Sequence, residues 1–309
     1  ALQISLATLG EGHPEVATAY GNLGLTYGEK GEYDQAVEYQ QLALQISLAT
    51  LGEGHPEVAT TYNNLGSIYS WMGDYDQAIE FYNKALQVRL AILGEGHPSV
   101  AITYNNLGST NHSKGEYDQA VEFHEKALQI SLATLGEGHP EVATTYNNLG
   151  VTCSSKGDQD QAIEFHEKAL RIRLTTLGTE HPHVGISYGN LGEACAGKGD
   201  YDQANEFHQK ALQIQLTTLG AEHPHVGISC SRLGSVYQSK GDYDQAIEFH
   251  EKALQILLAT LGENHPYVAN AYTGLGSVCS EKEDYDEAIE FHEKALQILL
   301  ATHGEEHPN

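Results

Sequence analysis

The sequence predicts an all-α solenoid of stacked helical hairpins, and two observations support this prediction. The dipeptide His-Pro recurs every 42 residues without insertion or deletion. Between these dipeptides lie two stretches with apolar residues at helical spacing, separated by a glycine. A fixed period of this length is typical of repeat proteins, whose units bury their apolar faces against their neighbours. The dipeptides begin at His13, His55, His97, His139, His181, His223, His265 and His307.

The period divides the 309-residue chain into units of one array. Residues 1–12 match the second half of a unit, and residues 307–309 match the start of another. Solenoids normally end in atypical polar units, and none is visible here. We therefore expect a single array that belongs to a longer one. Its full units are 13–54, 55–96, 97–138, 139–180, 181–222, 223–264 and 265–306.

The first helix of the unit 55–96 is predicted from its start signal and its apolar stripe. Pro56 suits the first turn of a helix. Gly73 ends the pattern, since glycine breaks a helix readily. The stripe expected to be buried has the spacing i, i+3, i+4, i+7 and consists of Tyr62, Leu65, Gly66 and Tyr69.

The second helix is predicted to begin after Asp74, with Gln77 completing a capping-box pattern. Glu80 and Lys84 form an i, i+4 pair that recurs in later units. Gly94 is expected to end the helix. Small residues at Gly66, Ala78 and Ala85 are expected where the two helices cross. The apolar face of the second helix consists of Ala78, Ala85, Leu86 and Leu93.

These positions carry a resemblance to a known family. The run from Tyr62 through Leu65-Gly66, Tyr69, Tyr75, Ala78 and Ala85 resembles the tetratricopeptide signature. The linker LGEGHPEVA and the long second helix resemble the 42-residue variety of kinesin light chains, over the whole chain. The resemblance implies a right-handed superhelix whose first helices line a concave groove, and a protein-interaction function.

The candidate binding residues lie on a second face of the first helices. With Ala59 as position 1 of its unit, asparagines recur at positions 5 and 6. Asparagine disfavours helix interiors, so a column of them requires a cause. The residues are Asn63, Asn64, Asn105, Asn106, Asn147 and Asn148, with Asn22 and Asn190 at position 6 of two further units.

Two interpretations of the asparagines stay open. Each amide offers donors and an acceptor that suit the backbone of an extended peptide, and the resemblance implies this use. Alternatively, each asparagine bonds to the neighbouring unit and braces the stack. The column is interrupted later in the chain by Glu193 and Arg232. Trp71 is the only tryptophan and falls beside the predicted groove, so these three residues are either binding residues or surface drift.

Composition restricts the partner. The net charge of −26 argues against nucleic acid and anionic membranes, which require clustered lysine and arginine. The groove lacks the lysines that grip carboxylates in some relatives, and it also lacks a dense arginine lining. No apolar run is long enough to span a bilayer. The four cysteines form no CxxC pair and are expected to be small buried residues of a reduced, cytoplasmic protein.

The sequence predicts no enzyme, cofactor or metal site. No HExxH, GxSxG or GxxxxGK[ST] motif occurs. A second histidine column, beginning at His124 where an earlier unit has Tyr82, is expected to be half-buried packing. The leading hypothesis is therefore a scaffold for an extended peptide. The alternatives are a spacer that self-associates head to tail through uncapped ends, and a regulatory or sensor tail of a larger protein.

Overall fold

The structure is a computed structural model that describes residues 10 and 12–303. These residues form fourteen helices and no strand, which confirms the predicted all-α solenoid of paired helices. The helices are α1 (Pro14–Lys30), α2 (Tyr33–Leu51), α3 (Pro56–Met72), α4 (Tyr75–Leu93), α5 (Pro98–Lys114), α6 (Tyr117–Leu135), α7 (Pro140–Lys156), α8 (Gln159–Leu177), α9 (Pro182–Lys198), α10 (Tyr201–Leu219), α11 (Pro224–Ser239), α12 (Tyr243–Leu261), α13 (Pro266–Glu281) and α14 (Tyr285–His303).

The chain forms two compact units, Ala1–Lys156 and Gly157–Asn309. The first contains α1–α7 and the second contains α8–α14. Within each unit, every helix packs against the helices that precede and follow it in sequence. This arrangement leaves one long side of each first helix available for function.

Each first helix begins at a proline and is capped by the histidine before it. The Nδ1 atom of His55 accepts a hydrogen bond from the backbone N–H of Glu57 at 3.2 Å. An accepting Nδ1 carries no proton, so the ring is the Nε2–H tautomer. The sequence predicted the helix start but not this cap. The same bond, 3.1–3.2 Å long, is made by His13, His55, His97, His139, His181, His223 and His265.

The second helices begin at an acidic residue, as predicted. The Asp74 carboxylate accepts from the backbone N–H of Gln77 at 3.2 Å. Glu116 occupies the same place in the next unit and makes no side-chain cap bond, because its longer side chain does not suit this geometry. The predicted ion pair between Lys84 and Glu80 is also present, with a separation of 2.6 Å.

The helices of a hairpin approach closely where glycine and alanine face each other. Leu65, Ala78 and Ala85 are fully buried. A Cβ atom added at Gly66 would lie 2.8 Å from the ring of Tyr82, so the glycine is needed for this contact. Among the residues predicted to form the apolar face of the second helix, only Leu93 is exposed, by more than a third of its surface. Leu93 is the last residue of α4 and adjoins the exposed loop.

Lysines near the ends of first helices pair with aspartates of the preceding second helix. These ion pairs span 2.6–2.8 Å and are solvent-exposed, so each contributes little to stability. Their regular spacing follows from the repeat. The pairs are Lys114–Asp76, Lys156–Asp118, Lys198–Asp160, Lys240–Asp202 and Lys282–Asp244.

Candidate functional site

The asparagines at position 5 bond to neighbouring units. The Oδ1 atom of Asn63 accepts from Asn106 Nδ2 at 3.1 Å. The Nδ2 group of Asn105 donates to Thr145 at 2.9 Å, and its Oδ1 accepts from His124 Nδ1 at 2.8 Å. These bonds join α3 to α5 and α5 to both α6 and α7. Asn63 and Asn105 therefore brace the stack in the first compact unit.

A buried arginine strengthens this bracing. Arg89 on α4 is 9% exposed, and its guanidinium donates to Thr103 at 2.6 Å and to the backbone oxygen of Ser99 at 2.9 Å. It also lies 3.4 Å from Asn63 Oδ1. Burial lowers its pKa from the ordinary value. The sequence did not indicate Arg89, because most other units place serine, glutamine or leucine there and only the fourth unit repeats the arginine, at Arg173. Arg173 is also buried and donates to Ser187 at 2.7 Å.

Fewer of the asparagines at position 6 form side-chain hydrogen bonds within the protein. The side chains of Asn22, Asn64 and Asn148 have no hydrogen-bond partner among residues 10 and 12–303, and Asn22 is exposed. Asn106 donates one bond to Asn63, and Asn190 also has an interaction within the protein. Asn63 and Asn105 at position 5 therefore bond within the protein, whereas three of the five asparagines at position 6 have no side-chain partner among the described residues.

Asn148 lines a cleft in the first compact unit. The cleft lies between α5 and α7 and has a volume of about 260 Å³. Its walls include the side chains of Asn105 and Asn106, together with the exposed Ile102. Ser131 of α6 forms its floor. The combination of amides with an aliphatic side chain suits a ligand that has both polar and apolar parts.

The residues that interrupt the column contact each other. Arg232 Nε lies 2.7 Å from Glu193 Oε1, and both side chains are partly exposed. The guanidinium lies over Gly189, whose added Cβ would be 3.3 Å from Arg232. The sequence indicated Glu193 and Arg232 as separate candidate residues, but it did not indicate that their side chains form an ion pair. An ion pair thus joins α9 to α11 near the positions where asparagines stand in earlier units.

Trp71 packs against the preceding hairpin. Its ring lies against Gly28 of α1, where an added Cβ would be 2.7 Å away. The side chain is nevertheless 47% exposed. It therefore covers the end of α1 with one part of the ring and presents the rest to solvent.

The second histidine column is fully buried, and not half-buried as predicted. The first two units have Gln40 and Tyr82 in this place, and both are also buried. His292 is exposed on the last described helix. Burial lowers the pKa of the buried histidines to about 4. The rings of His124, His208 and His250 lie against glycines of the first helix, where an added Cβ would be 2.6–2.7 Å away, and the sequence did not reveal this contact. The buried residues are His124, His166, His208 and His250.

The other groups that are candidates for chemistry are dispersed or buried. All four cysteines are buried thiols, as predicted. Burial raises the pKa of Cys195 to about 11, which makes it a poor nucleophile at neutral pH. Among the described residues, no three histidine, cysteine or acidic side chains are grouped to hold a metal ion. None of the described helices is long and apolar enough to span a membrane.

Asn111-His112-Ser113 matches the pattern of an N-glycosylation sequon, and Asn111 occupies the place that Tyr69 has in the unit 55–96. The Asn111 side chain is 2% exposed and donates to the backbone oxygen of Leu107 at 2.7 Å. This agrees with its place on the predicted buried stripe of the first helix.

Comparisons with solved structures show two similar kinesin-light-chain-like proteins. BtubC (BKLC) from P. vanneervenii is 25% identical, with a TM-score of 0.61, over 75% of this chain and 91% of its own. A Podosopora anserina putative kinesin light chain with nearly identical TPR-like repeats is 28% identical. Its TM-score is 0.57, over 67% of this chain and 98% of its own.

A more distant structure shows the fold alone. The apo form of RapI is 16% identical, with a TM-score of 0.71, over 91% of this chain and 97% of its own. No curated protein sequence is significantly similar to this chain.

The tetratricopeptide repeat family matches six successive stretches of the sequence, of which the first five overlap. The matched residues are 1–49, 27–91, 57–133, 100–175, 160–217 and 227–301. Together with the paired helices and the two kinesin-light-chain-like structures, these matches show that the chain belongs to the tetratricopeptide repeat family and is of the kinesin-light-chain-like type.

Proposed function

We propose that this protein-interaction scaffold binds an extended segment of a partner protein through the asparagines at position 6. The observation that supports the proposal is the contrast between adjacent columns. Asn63 and Asn105 are used within the protein, whereas the amides of Asn64 and Asn148 have no internal partner among the described residues. A side-chain amide offers two donors and an acceptor, which matches the alternating groups of an extended backbone.

The surroundings of these amides favour a peptide over other ligands. The cleft beside Asn148 combines amides with the exposed aliphatic side chain of Ile102. The net charge of −26 disfavours nucleic acid and anionic lipid headgroups. A segment without a strong negative charge fits this surface best.

The test compares two matched double variants. Peptides are first selected from a random library on the unmodified protein, and their affinities are then measured by calorimetry. We expect Asn64→Ala/Asn148→Ala to weaken binding at least about tenfold with an unchanged melting temperature, since two ligand bonds of about 1 kcal/mol each are lost. We expect Asn63→Ala/Asn105→Ala to lower the melting temperature, because these changes leave buried partners unsatisfied.

Either of two results would contradict this proposal. The first is that no library peptide is retained by the folded protein. The second is that the Asn64/Asn148 variant keeps full affinity for the selected peptides. Circular dichroism of each variant establishes that lost binding does not reflect lost helix.

Head-to-tail self-association is a second candidate function, and the exposed face of α14 supports it. Ile289, Leu296 and Leu300 are 55%, 55% and 63% exposed. The equivalent residues of α12 are Ile247, Leu254 and Leu258, which are partly covered. Because the next first helix covers this face in interior units, we infer that the face on α14 binds the corresponding surface of another copy.

Sedimentation at millimolar concentration tests this association. We expect the average mass of the wild-type protein to increase with concentration. We expect Leu296→Glu/Leu300→Glu to stay monomeric, because the contact would require burial of two carboxylates. Ala259→Glu, at an exposed site of an interior helix, serves as the control. A strictly monomeric wild-type protein over the whole range would eliminate this candidate.

We propose no catalytic step for this protein. We propose that it works in a reducing, cytoplasmic setting. Burial raises the pKa of Cys195 to about 11 and lowers that of His208 to about 4. Near neutral pH the Cys195 thiol therefore stays protonated and is a poor nucleophile, and the His208 ring is a weak base. The buried thiols are compatible with a compartment that keeps cysteines reduced.

A further inference from the structure

A cavity with both polar and apolar lining lies between α11 and α13 in the second compact unit, with α12 beneath it. Its volume is about 470 Å³, compared with about 260 Å³ for the equivalent cleft between α5 and α7. Ser231 and Gly274 form part of its wall, and His250 and Leu257 of α12 lie at its base. None of these residues belongs to the proposed asparagine column.

The larger volume results from two substitutions within the repeat. Asn105, which occupies position 5 in the third full unit, is replaced by Ser231 in the sixth. Asn148, at position 6 of the fourth unit, is replaced by Gly274 in the seventh. Both changes remove an amide side chain from the space above the buried histidine. His250 consequently lines its cavity, whereas His124 does not line the smaller cleft.

The amide that is missing here has a defined partner in the third unit. His124 Nδ1 donates to Asn105 Oδ1 at 2.8 Å. In the sixth unit, both ring nitrogens of His250 and the Oγ atom of Ser231 are buried without a partner among the described residues, whereas His166 and His208 each leave only Nδ1 unpaired. His250 is only 2% exposed. Buried polar groups are rarely left unpaired, because each costs about 1–3 kcal/mol.

The position of the ring leaves it directed at the cavity. It is packed between Gly234 and Gly274, where added Cβ atoms would lie 2.7 Å from Nε2 and 2.6 Å from Nδ1 respectively. No side chain at either glycine covers the ring. In the third unit Asn105 Oδ1 lies 2.8 Å from His124 Nδ1, so a ligand atom in the equivalent place is within hydrogen-bond distance of the His250 ring.

We propose that this cavity is a subsite for the primary carboxamide of an asparagine or glutamine side chain, which replaces the amide lost at Ser231. The inference rests on the proposed binding of an extended segment and specifies one residue of that segment. The ligand oxygen accepts from a ring nitrogen of His250, and the ligand NH₂ group donates to Ser231 Oγ. The aliphatic stem of the ligand packs on Leu257.

The charges around the cavity favour an amide over a carboxylate. Arg232 is the one cationic side chain among its lining residues, and it is paired with Glu193 at 2.7 Å. Burial lowers the pKa of His250 to about 4, so the ring is neutral at pH 7 and supplies one donor and one acceptor. A carboxylate here would be a buried charge without a counter-ion, which is strongly unfavourable. The remaining polar lining residues, including Asn270 and Thr273, are neutral.

Three peptides that differ in one side chain test the subsite. The probe is acetyl-Gly-Ser-Gly-X-Gly-Ser-Gly N-methylamide, in which X is Gln, Glu or Leu, so the Gln side chain is the only primary carboxamide. Binding is followed through the ring ¹H–¹⁵N signals of His250, assigned by their loss in His250→Tyr. We expect these signals to shift with the Gln peptide, which binds at least about tenfold more tightly than the other two.

Two variants test whether the carboxamide subsite can be removed from the sixth unit and created in the third. Ser231→Asn restores the internal amide found at Asn105, and we expect it to weaken binding of the Gln peptide at least about tenfold. Asn105→Ser/Asn148→Gly removes both amides from the cleft above His124, and we expect it to create a second site for the Gln peptide. Each variant reproduces residues already present elsewhere in this chain, so both are expected to fold.

Several outcomes would overturn the inference. These are equal affinity of the three peptides, no binding of the Gln peptide at millimolar concentration, or unchanged binding to Ser231→Asn. Failure here is distinguishable from failure of the asparagine column. If library-selected peptides lose affinity in the Asn64/Asn148 variant but not in Ser231→Asn, the scaffold function stands and the carboxamide subsite does not.

Discussion

Acidification from pH 7 to pH 5 is expected to destabilise the protein strongly through its buried histidine column. Burial lowers the pKa of four histidines to about 4, below the 6.5 of an unfolded chain. Above pH 6.5 both states are neutral at these rings, and the full stability is present. Between pH 6.5 and 4 only the unfolded state takes up the proton, so stability falls as the pH falls.

The expected magnitude is large because the column acts additively within each compact unit. Each buried histidine removes about 1.4 kcal/mol of unfolding free energy per pH unit across this window. His166, His208 and His250 all lie in the second compact unit.

The variant His250→Tyr isolates one member of the column. Tyrosine occupies the same place in another unit, where Tyr82 packs on Gly66 and bonds to Ser67 at 3.0 Å. The sixth unit offers the equivalent Gly234 and Ser235. Urea unfolding at a series of pH values should show a slope about 1.4 kcal/mol per pH unit smaller in the variant. An unchanged slope would mean that His250 does not remain neutral in the folded protein.

Gly24→Ala is expected to reduce the unfolding free energy by about 1–3 kcal/mol, through overpacking at a helix crossing. Its added Cβ would lie 2.8 Å from Gln40 Cγ and 3.0 Å from the backbone oxygen of Ala36. The side chain can move, but the backbone of α2 cannot without disturbing the hairpin. This cost exceeds the gain of about 1 kcal/mol that alanine brings to a helix interior.

Gly21→Ala is the matched control three residues earlier in α1. Its added Cβ would meet only Gln40 Oε1, at an ordinary 3.9 Å. We expect a gain of about 0.5–1 kcal/mol there from helix propensity alone. Denaturant unfolding of both variants checks the pair, and similar shifts in the same direction would show that the close approach at Gly24 is not limiting.

The sequence predicted features that lie within a single unit. Pro56 marks the start of a helix, Asp74 caps the next, and Gly66, Ala78 and Ala85 form the crossing, because each depends on residues close in the 42-residue period. The period itself fixes the fold class. These features need no knowledge of which neighbour a side chain meets.

The site was harder to predict because its contacts join different units. Adjacent asparagines in one helix differ in role only because Asn63 reaches Asn106 of the next unit, whereas Asn64 reaches no internal partner among the described residues. The pairing of Glu193 with Arg232 likewise crosses units. A repeat pattern gives the position of a residue within a unit, but the offset to the adjacent unit depends on packing.

The capping histidines have a consequence for how the gene can change. His55 closes the start of its helix through a bond to a residue two places later, and Asp74 does so through a residue three places later. Every full unit therefore carries the cap of its own first helix. Duplication or loss of one 42-residue segment of coding sequence leaves no first helix without its histidine cap.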